Sequence, residues 1–334
     1  DHPGVEIRLQ VCNNRDEVVN LRQQGAVELA IMGRPPQSWP TRAEPFAMHP
    51  HVLVTAVDHP FTQMERVPAR ALQEDYVLGT LPVGVLVLTA SVDVQANRLE
   101  LMVMGFGVGM ERWVVDHQII WGDPADERTW AVLDEKLKAR YRHPCGVGLA
   151  ILAVGVDSGG HHTDEVYQFC RVRRWRNIFA IKGASKPGRP VIAQRPSMVD
   201  VTWKGQTERN GAELWFVGTD TAKDWIYNRY PFPDGPGSLH FANDLPDEFF
   251  AQCVAERKVA RYVKGYKRIE WVKGKAERNE ALDLLVYNLA MAHYLGINRY
   301  QDHDWARIRQ AVRGIRGMFK ADGLLKAPAS ISEP

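Results

Sequence analysis

Three aspartates occur in apolar surroundings at widely separated places in this chain of 334 residues. Asp93 lies near the end of the apolar run Val85–Gln95, Asp157 lies within Leu149–Gly160, and Asp283 lies within Ala281–Leu295. A carboxylate in such surroundings is costly to desolvate unless a cation meets it. Three acids of this kind suggest a single divalent-metal site.

Each acid by itself also has an ordinary structural explanation. Asp93 could be a surface carboxylate at a strand end, and Asp157, which precedes Ser-Gly-Gly, could form a turn. Asp283 lies in the first turns of a predicted helix, where the macrodipole favours a negative charge. The metal-site hypothesis therefore rests on the three acids together.

The elements that must position these acids follow one another in an informative order. Val85–Gln95 predicts a buried strand, because Val and Leu dominate it and Pro82-Val83-Gly84 precedes it. The next patterns predict two strands, a helix, a strand, a helix and a strand: Arg98–Gly107, Arg112–Trp121, Asp123 to about Arg142, Gly148–Val156, Asp164–Arg173 and Ile178–Lys182. This order indicates an α/β protein with an RNase H-like nuclease core, a mixed sheet flanked by helices.

In that arrangement the first acid lies on the first strand, the second near the end of the fourth and the last on a C-terminal helix. Asp93, Asp157 and Asp283 occupy these places. The rest of the chain predicts a loop or flexible hairpin over 184–212, a strand, two helices, a hairpin and a long helix: Glu213–Val217, Thr219 to about Tyr230, Pro246–Arg257, Val259–Val263 with Arg268–Val272, and Arg278–Leu295.

The composition is that of an ordinary globular protein, with 45% hydrophobic and 25% charged residues. No apolar run approaches the ~20 residues that a membrane helix needs, so we expect no membrane partner. The four cysteines are far apart and form no CxxC pair, which favours a reducing, cytoplasmic setting. The chain begins at Asp1 and not at Met, and we interpret it as a fragment or a processed form.

Residues 1–79 have a composition of their own, with seven Arg, no Lys and ten acidic residues, against 35 basic and 30 acidic residues afterwards. The stretches His-Pro-Gly-Val-Glu-Ile-Arg-Leu, Ala-Val-Glu-Leu-Ala-Ile-Met-Gly-Arg-Pro-Pro and His-Pro-His-Val-Leu-Val resemble the start of the effector-binding domain of LysR-type transcriptional regulators, above all the branch that regulates carbon-fixation genes. The resemblance implies a partial periplasmic-binding-protein-like α/β fragment without the second lobe of a ligand cleft.

A second resemblance begins at about Leu81 and extends to Leu295. Leu-Val-Leu-Thr-Ala-Ser-Val-Asp-Val-Gln, Gly-Val-Asp-Ser-Gly-Gly-His, Ala-Ile-Lys-Gly and Arg-Asn-Glu-Ala-Leu-Asp-Leu-Leu-Val-Tyr occur in this order. They resemble the nuclease half of the lambda-type phage terminase large subunit. The resemblance implies an endonuclease that cuts concatemeric double-stranded phage DNA during packaging, with the small terminase subunit and the portal as partners, in the cytoplasm of a bacterial host.

The chemistry implied is phosphodiester hydrolysis assisted by two Mg²⁺ or Mn²⁺ ions, which shared carboxylates hold ~4 Å apart. Asp93, Asp157 and Asp283 are the predicted catalytic residues and metal ligands. Glu280 lies three residues before Asp283 on the same side of the predicted helix and is an auxiliary ligand candidate. The resembling family also carries a packaging ATPase, but the sequence contains no GxxxxGK[ST] motif and hence no predicted ATP site.

Two basic stretches with interleaved aromatic residues suit contact with a DNA backbone. Residues 171–189 carry seven Lys or Arg, and residues 257–278 carry nine. The predicted DNA-binding residues are Arg171, Arg173, Arg174, Lys182, Lys264, Lys267, Arg268 and Lys273. A charge run is more often a solvated face, and the expectation of DNA contact rests on the neighbouring acidic site.

We therefore predict a LysR-like fragment over 1–79, an RNase H-like nuclease domain over 80–298 and a basic, then Pro/Ser-rich tail over 299–334. Two alternatives remain at this point. The chain could function as an effector-binding fragment of a transcriptional regulator, or its RNase H-like core could belong to a resolvase or transposase, because fold and acids alone do not discriminate.

Overall fold

The computed structural model describes residues 73–74, 76–160, 162–230, 235–263 and 266–314, with the backbone alone for 73–74, 261–263, 266–268 and 313–314. These residues lie in one compact unit, Thr55–Pro334. The predicted LysR-like elements, Lys264 and the end of the C-terminal tail lie outside the described residues, as do the side chains of Lys267 and Arg268.

The described residues form twelve strands and six α-helices. The strands are β1 (Gln73–Glu74), β2 (Val87–Val94), β3 (Arg98–Phe106), β4 (Arg112–Trp121), β5 (Arg140–Arg142), β6 (Gly148–Asp157), β7 (Ile178–Gly183), β8 (Ser197–Trp203), β9 (Gln206–Val217), β10 (Leu239–Ala242), β11 (Glu256–Val263) and β12 (Tyr266–Lys273). The helices are α1 (Glu127–Leu137), α2 (Thr163–Arg171), α3 (Thr219–Tyr227), α4 (Asp247–Cys253), α5 (Glu280–Tyr294) and α6 (Asp302–Gly314). No helix in this described portion is long and apolar enough to span a membrane.

The main sheet is mixed, with the strand order β1-β10-β4-β3-β2-β6-β7-β9-β8 and with β5 paired to β6. Strands β2, β3 and β4 form an antiparallel meander. Strand β6 lies parallel to β2, and β7 lies parallel to β6, because helices α1 and α2 return the chain to the same edge of the sheet. Strands β11 and β12 form a separate antiparallel hairpin.

Strand β2 is buried on both faces, and its two sets of side chains face different cores. Leu88, Ala90 and Val92 belong to a core that includes residues of α1 and α2. Thr89 and Ser91 point the other way and hydrogen-bond to α5. This alternation follows from the two-residue period of a strand, so that Asp93 shares the α5 face with Thr89 and Ser91.

Helix α5 is the central element of the second core. Eleven of its 15 residues are buried, as expected for a helix that is apolar nearly all round. It packs in one cluster with residues of α3, α4 and α6 against one face of the sheet. The described chain thus has helices on both faces of the sheet.

A buried polar network joins α5 to the sheet through Asn288, which is fully buried. Its Oδ1 accepts a hydrogen bond of 2.7 Å from Thr89 Oγ1. Its Nδ2 donates to Ser91 Oγ at 2.6 Å and to the carbonyls of Met102 and Leu284 at 3.2 and 3.1 Å. Because every polar atom of the side chain has a partner, the network sets the position of α5 along β2.

Several element predictions need correction. The helix expected to reach Arg142 ends at Leu137, and β5 follows it. Of the two alternatives for 184–212, the hairpin is confirmed, because β8 pairs antiparallel with β9, which extends beyond the predicted segment to Val217. The helix expected over Pro246–Arg257 ends at Cys253, because Glu256 already belongs to the β11–β12 hairpin.

Contacts of the main sheet extend to residues before Gly79. Strand β1 pairs with β10, and the Tyr76 hydroxyl donates 3.0 Å hydrogen bonds to the carbonyls of Val114 and His240. At the other end, the predicted tail contains α6, whose Trp305 is buried in the core.

The Asn288 network predicts a measurable stability difference. We expect Asn288→Ala to lower the free energy of unfolding by about 2–4 kcal/mol, because Thr89 and Ser91 would lose their buried partner. The exposed Asn298 offers the control, and Asn298→Ala should change it by less than about 0.5 kcal/mol. Urea-induced unfolding followed by circular dichroism measures both, and equal effects of the two variants would contradict the assigned role of the network.

Candidate active site

Asp93 and Asp157 lie at the ends of two neighbouring parallel strands. Val92 pairs with Val156 in the β2–β6 ladder, and each aspartate is the next residue along its strand. The two valines face the core of α1 and α2, so that both aspartates point to the opposite face, where α5 lies. Neighbouring strands are about 4.8 Å apart, and the pairing therefore brings the two carboxylates together.

Helix α5 supplies the third aspartate and a tyrosine. Asp283 and Tyr287 are four residues apart and hence lie on the same side of the helix. The buried Tyr287 hydroxyl donates a hydrogen bond to the Asp157 side chain. The phenol also interacts electrostatically with Asp93, Asp157 and Asp283, and with burial these charges raise its pKa. The three predicted site aspartates thus surround one tyrosine.

Burial raises the pKa values of all three carboxyls, and repulsion by neighbouring carboxylates adds to the rise at Asp93 and Asp283. Burial, opposed by the Gln95 hydrogen bond and reinforced by the charges of Asp157 and Asp283, raises the pKa of Asp93 to about 7. Burial likewise raises the pKa of Asp157. The pKa of Asp283 rises to about 6 because of burial, although the nearby Lys223 ammonium opposes this rise.

Asp283 is held by a lysine of α3 and by Asn279, the residue that precedes α5. Its Oδ1 lies 3.4 Å from Lys223 Nζ on α3, and its Oδ2 accepts a 2.9 Å hydrogen bond from Asn279 Nδ2. Lys223 Nζ also forms a 2.6 Å ion pair with Glu256, the first residue of the β11–β12 hairpin. Asn279 donates to the same Glu256 carboxylate at 2.8 Å.

A second ion-pair cluster lies on the β3 side of Asp93. Glu100 pairs with Asp93 across β2 and β3 and is only 1% exposed. Its Oε1 accepts hydrogen bonds from Arg98 Nε at 2.7 Å and from Arg278 Nη2 at 2.9 Å. Arg98 and Arg278 also bind Glu280, at 3.5 and 3.2 Å. The structure therefore places Glu280 against two arginines, and we do not retain it among the metal-ligand candidates.

The donor chemistry of the three aspartates fits a hard divalent cation. Carboxylate oxygens are the ligands that Mg²⁺ and Mn²⁺ prefer, and the raised pKa values show that a positive charge would be stabilised there. Within the described part of the chain, however, no three His, Cys, Asp or Glu side chains already stand in a metal-holding arrangement. Asp283 in particular has both carboxylate oxygens engaged by Lys223 and Asn279.

The predicted DNA-binding residues separate into two groups. Lys182 is exposed at the end of β7, close enough to Asp157 to lower its pKa. Lys273 is exposed at the base of the β11–β12 hairpin and donates a 2.9 Å hydrogen bond to Asn279 Oδ1. These two lysines therefore lie beside the aspartates.

The other three described basic residues lie at the opposite end of the strands, where α2 ends and β7 begins. Arg173 binds Asp134 at 2.7 Å, Arg174 binds Glu213 at 2.5 Å, and Arg171 binds Glu208. The expectation that residues 171–174 flank the acidic site is thus wrong. A helix that returns antiparallel to β6 carries its last turn away from the residue where β6 ends.

Sequence reasoning missed several members of the site: Glu100, Lys223, Glu256, Asn279 and Tyr287. Lys223 and Glu256 looked like ordinary charged surface residues, and only the tertiary structure buries them. Tyr287 carried a signal, because it lies four residues after Asp283 on the same helix. Glu100 also carried a signal, because it is a charged residue within a strand whose other residues are nearly all apolar. Such a strand is buried on both faces, so that its one acid is expected to meet a cation or a functional site.

The fold and the site define a mixed α/β protein with a buried acidic centre where β2, β6 and α5 meet, beside exposed lysines. The profile of the terminase large subunit gpA endonuclease domain matches residues 60–305. The chain therefore belongs to the gpA-type terminase large subunit endonuclease family, as the motif resemblance predicted. The LysR substrate-binding domain profile matches residues 1–94.

Individual relatives agree with both assignments. The chain is 38% identical to the terminase large subunit of Escherichia phage lambda over 248 residues, 71% of this chain and 37% of the relative. It is 36% identical to that of Enterobacteria phage P21, over 66% of this chain and 34% of the relative. The HTH-type transcriptional regulator CfxR of Cupriavidus necator is 48% identical over 59 residues, 18% of each chain.

The chain thus spans little more than a third of the length of the terminase relatives that it matches. No solved structure matches the chain with significance.

The raised pKa of Asp93 predicts how a charge-removing substitution affects stability. The folded state holds the Asp93 proton up to about pH 7, whereas the unfolded chain releases it near 3.8. The stabilising contribution of this group is therefore largest below the unfolded value and is lost as the pH rises through about 7. Asp93→Asn should raise the melting temperature in EDTA at about pH 8, by an amount equivalent to roughly 2 kcal/mol, and change it little in acid.

The exposed Asp302 provides the control, since Asp302→Asn removes the same charge from the start of α6. A loss of stability in Asp93→Asn at alkaline pH would mean that Asp93 is held by stabilising partners and not by the repelling cluster described above.

Proposed function

We propose that this chain carries a metal-dependent DNA endonuclease centre formed by Asp93, Asp157 and Asp283. The observation that carries the proposal is the convergence of these aspartates around Tyr287, where β2, β6 and α5 meet. Membership of the terminase endonuclease family supplies the reaction class. Clustered carboxylates with raised pKa values are a common feature of catalytic sites.

The fold supports an RNase H-like assignment. A three-stranded antiparallel meander, β4-β3-β2, is extended by the parallel strands β6 and β7, with α1 and α2 as the intervening helices. The first acid lies on the first strand of the meander, the second ends the first parallel strand, and the third lies on a helix late in the chain. This is the arrangement that the element order of the sequence predicts for such a nuclease core.

Asp93, Asp157 and Asp283 are the residues that would hold Mg²⁺ or Mn²⁺. In phosphodiester hydrolysis a pair of such ions activates the attacking water and stabilises the leaving oxygen. The protein itself holds the carboxylates in place: Gln95 donates to Asp93, Tyr287 donates to Asp157, and Asn279 donates to Asp283. The neutral donors orient the carboxylate oxygens without neutralising them.

Lys182 and the β11–β12 hairpin are the proposed contacts for the phosphate backbone. Lys182 lies near Asp157, Lys273 contacts Asn279 beside Asp283, and both lysines are exposed. The hairpin is anchored on α3, where Trp271 Nε1 donates a 3.0 Å hydrogen bond to Asp224 and Lys258 forms a 2.6 Å ion pair with the same carboxylate. A basic ribbon fixed beside an acidic centre would hold a DNA strand across that centre.

The proposed substrate is double-stranded DNA in the form of concatemers of a phage genome, cut during packaging in the cytoplasm of the bacterial host. The small terminase subunit and the portal are the proposed partners. These assignments come from the family, and the relatives that support them are the terminase large subunits of Escherichia phage lambda and Enterobacteria phage P21. Family membership also favours this role over a resolvase or a transposase.

Cleavage depends on the aspartates in this proposal. Asp93→Asn, Asp157→Asn and Asp283→Asn should each lower Mn²⁺-dependent nicking of supercoiled plasmid by at least about 100-fold, because each removes a charged ligand. Asp302→Asn should retain full activity. Gel analysis of nicked and linear product with Mn²⁺, Mg²⁺ or EDTA measures the effect, and undiminished cleavage by a folded Asp93→Asn protein would exclude the proposed centre.

DNA binding should distinguish the two ends of the sheet. Lys182→Ala should weaken binding several-fold and reduce the slope of log affinity against log salt by about 1, since one phosphate contact is lost. Arg174, also exposed but at the far end, is the matched control, and Arg174→Ala should leave both quantities unchanged. Fluorescence anisotropy with labelled duplex DNA at several salt concentrations measures both variants. The reverse ranking would place the DNA on the other end of the sheet.

A further inference from the structure

Lys223 is a buried ammonium group within reach of the candidate active site. Its residue is only 8% exposed, and it projects from α3 into the space between Glu256 and Asp283. A buried lysine is costly unless carboxylates surround it. Its contacts therefore show which carboxylates the protein neutralises without a metal ion.

Lys223 does not bind its two carboxylates equally. The contact with Glu256 is a 2.6 Å hydrogen-bonded ion pair, whereas the contact with Asp283 Oδ1 is 3.4 Å long. Asn279 bridges the same two carboxylates from the other side, at 2.8 and 2.9 Å. Glu256 is thus the anchor of the ammonium group, and Asp283 shares its charge.

This arrangement leaves neither carboxylate oxygen of Asp283 without a donor from the protein. The described side chains do not form a metal-holding group of three. Among the described residues, the hydrogen-bond donors to Asp93 and Asp157 are neutral groups, such as Gln95, Tyr287 and the Gly159 amide. Asp283 is thus the aspartate in an ion pair with a buried ammonium group, whereas the exposed Lys182 acts on Asp157 as a nearby charge.

We propose that Lys223 is an internal counter-ion of the site, which neutralises Asp283 in the metal-free protein and competes with a divalent metal ion for that carboxylate. The inference rests on the proposed function and deepens it. Metal binding exchanges the longer Lys223–Asp283 contact and leaves the Lys223–Glu256 pair intact. Lys223 is accordingly a positioning residue, because it acts on the site through Asp283.

Removing the charge of Lys223 should increase the affinity of the site for a divalent metal ion. A neutral side chain at position 223 removes a positive charge that lies 3.4 Å from one oxygen of Asp283 and frees that oxygen. Unit charges about 4 Å apart interact appreciably even with the screening found near protein surfaces. If Lys223 had only a structural role, the opposite result would follow, because its loss would disorder Asp283 and weaken metal binding.

The test is calorimetric titration of the full chain with MnCl₂, in the absence of DNA. We expect Lys223→Met to bind Mn²⁺ at least about tenfold more tightly than the wild type, in view of the charge removed. Lys223→Arg keeps the charge and should stay within about twofold. The matched control is Lys138→Met, because Lys138 also joins two carboxylates, Asp134 and Glu135, but on α1.

Thermal unfolding gives a second readout that does not depend on cleavage. In EDTA, Lys223→Met should melt below the wild type, because Glu256 and Asp283 then repel each other without a shared cation. Added Mn²⁺ should raise its melting temperature more than that of the wild type, through its tighter binding to the folded state. If Lys223→Met does not fold, Lys223→Gln, which can still donate to Glu256, replaces it in both measurements.

The outcomes separate this inference from the proposed function. Mn²⁺ binding by the wild type that Asp283→Asn weakens, together with equal or weaker binding by Lys223→Met, would overturn the counter-ion role and leave the metal site standing. Absence of saturable Mn²⁺ binding in the wild type, Lys223→Met and Asp283→Asn alike would overturn the metal site and the counter-ion role with it. If Lys223→Met is the one variant that binds Mn²⁺ more tightly than the wild type, the result supports both the metal site and the counter-ion role.

Discussion

The parallel pairing of β2 with β6 is the constraint on which the site depends. The register that sets Val92 beside Val156 gives both strands the same inward and outward alternation. A shift by one residue would turn one aspartate into the opposite core. Helix α5 stabilises this arrangement, because its Asn288 forms hydrogen bonds with Thr89 and Ser91 of β2. The contacts that fix the helix on the strand thus also bring Asp283 to the other two aspartates.

The buried carboxylates around the centre are stabilised by three kinds of partner. Gln95 and Tyr287 donate neutral hydrogen bonds to Asp93 and Asp157, which leaves their repulsion largely in place. Lys223 gives Asp283 part of a full positive charge. Glu100, the remaining neighbour, is neutralised by two arginines. The two strand-end aspartates are therefore the carboxyls whose pKa values burial raises without an opposing ion pair to a buried ammonium group, and a cation would be strongly stabilised beside them.

The basic hairpin is connected to the same centre through its first residue. Glu256 begins β11 and binds Lys223 and Asn279, both of which contact Asp283. Lys273, its partner across the hairpin, donates to Asn279 as well. A ribbon suited to DNA and a carboxylate suited to metal thus share one hydrogen-bonded group. This sharing offers a physical route by which a strand bound along the ribbon would affect the position of Asp283.

The sequence alone determined the order of the core elements, the buried strand β2, the long apolar helix α5 and the choice of Asp93, Asp157 and Asp283, because local periodicity and short motifs carry that information. Its short motifs also indicated both families. It misplaced the ends of α1 and α4, because the strands that begin after these helices are defined by pairing with a neighbouring strand. Only the tertiary structure decided that Arg171, Arg173 and Arg174 lie far from the aspartates, that Glu280 faces two arginines, and that Lys223 and Glu256 are buried beside Asp283. A charged residue looks alike in sequence whether water or a carboxylate surrounds it, and only the packing of distant elements decides which partner it meets.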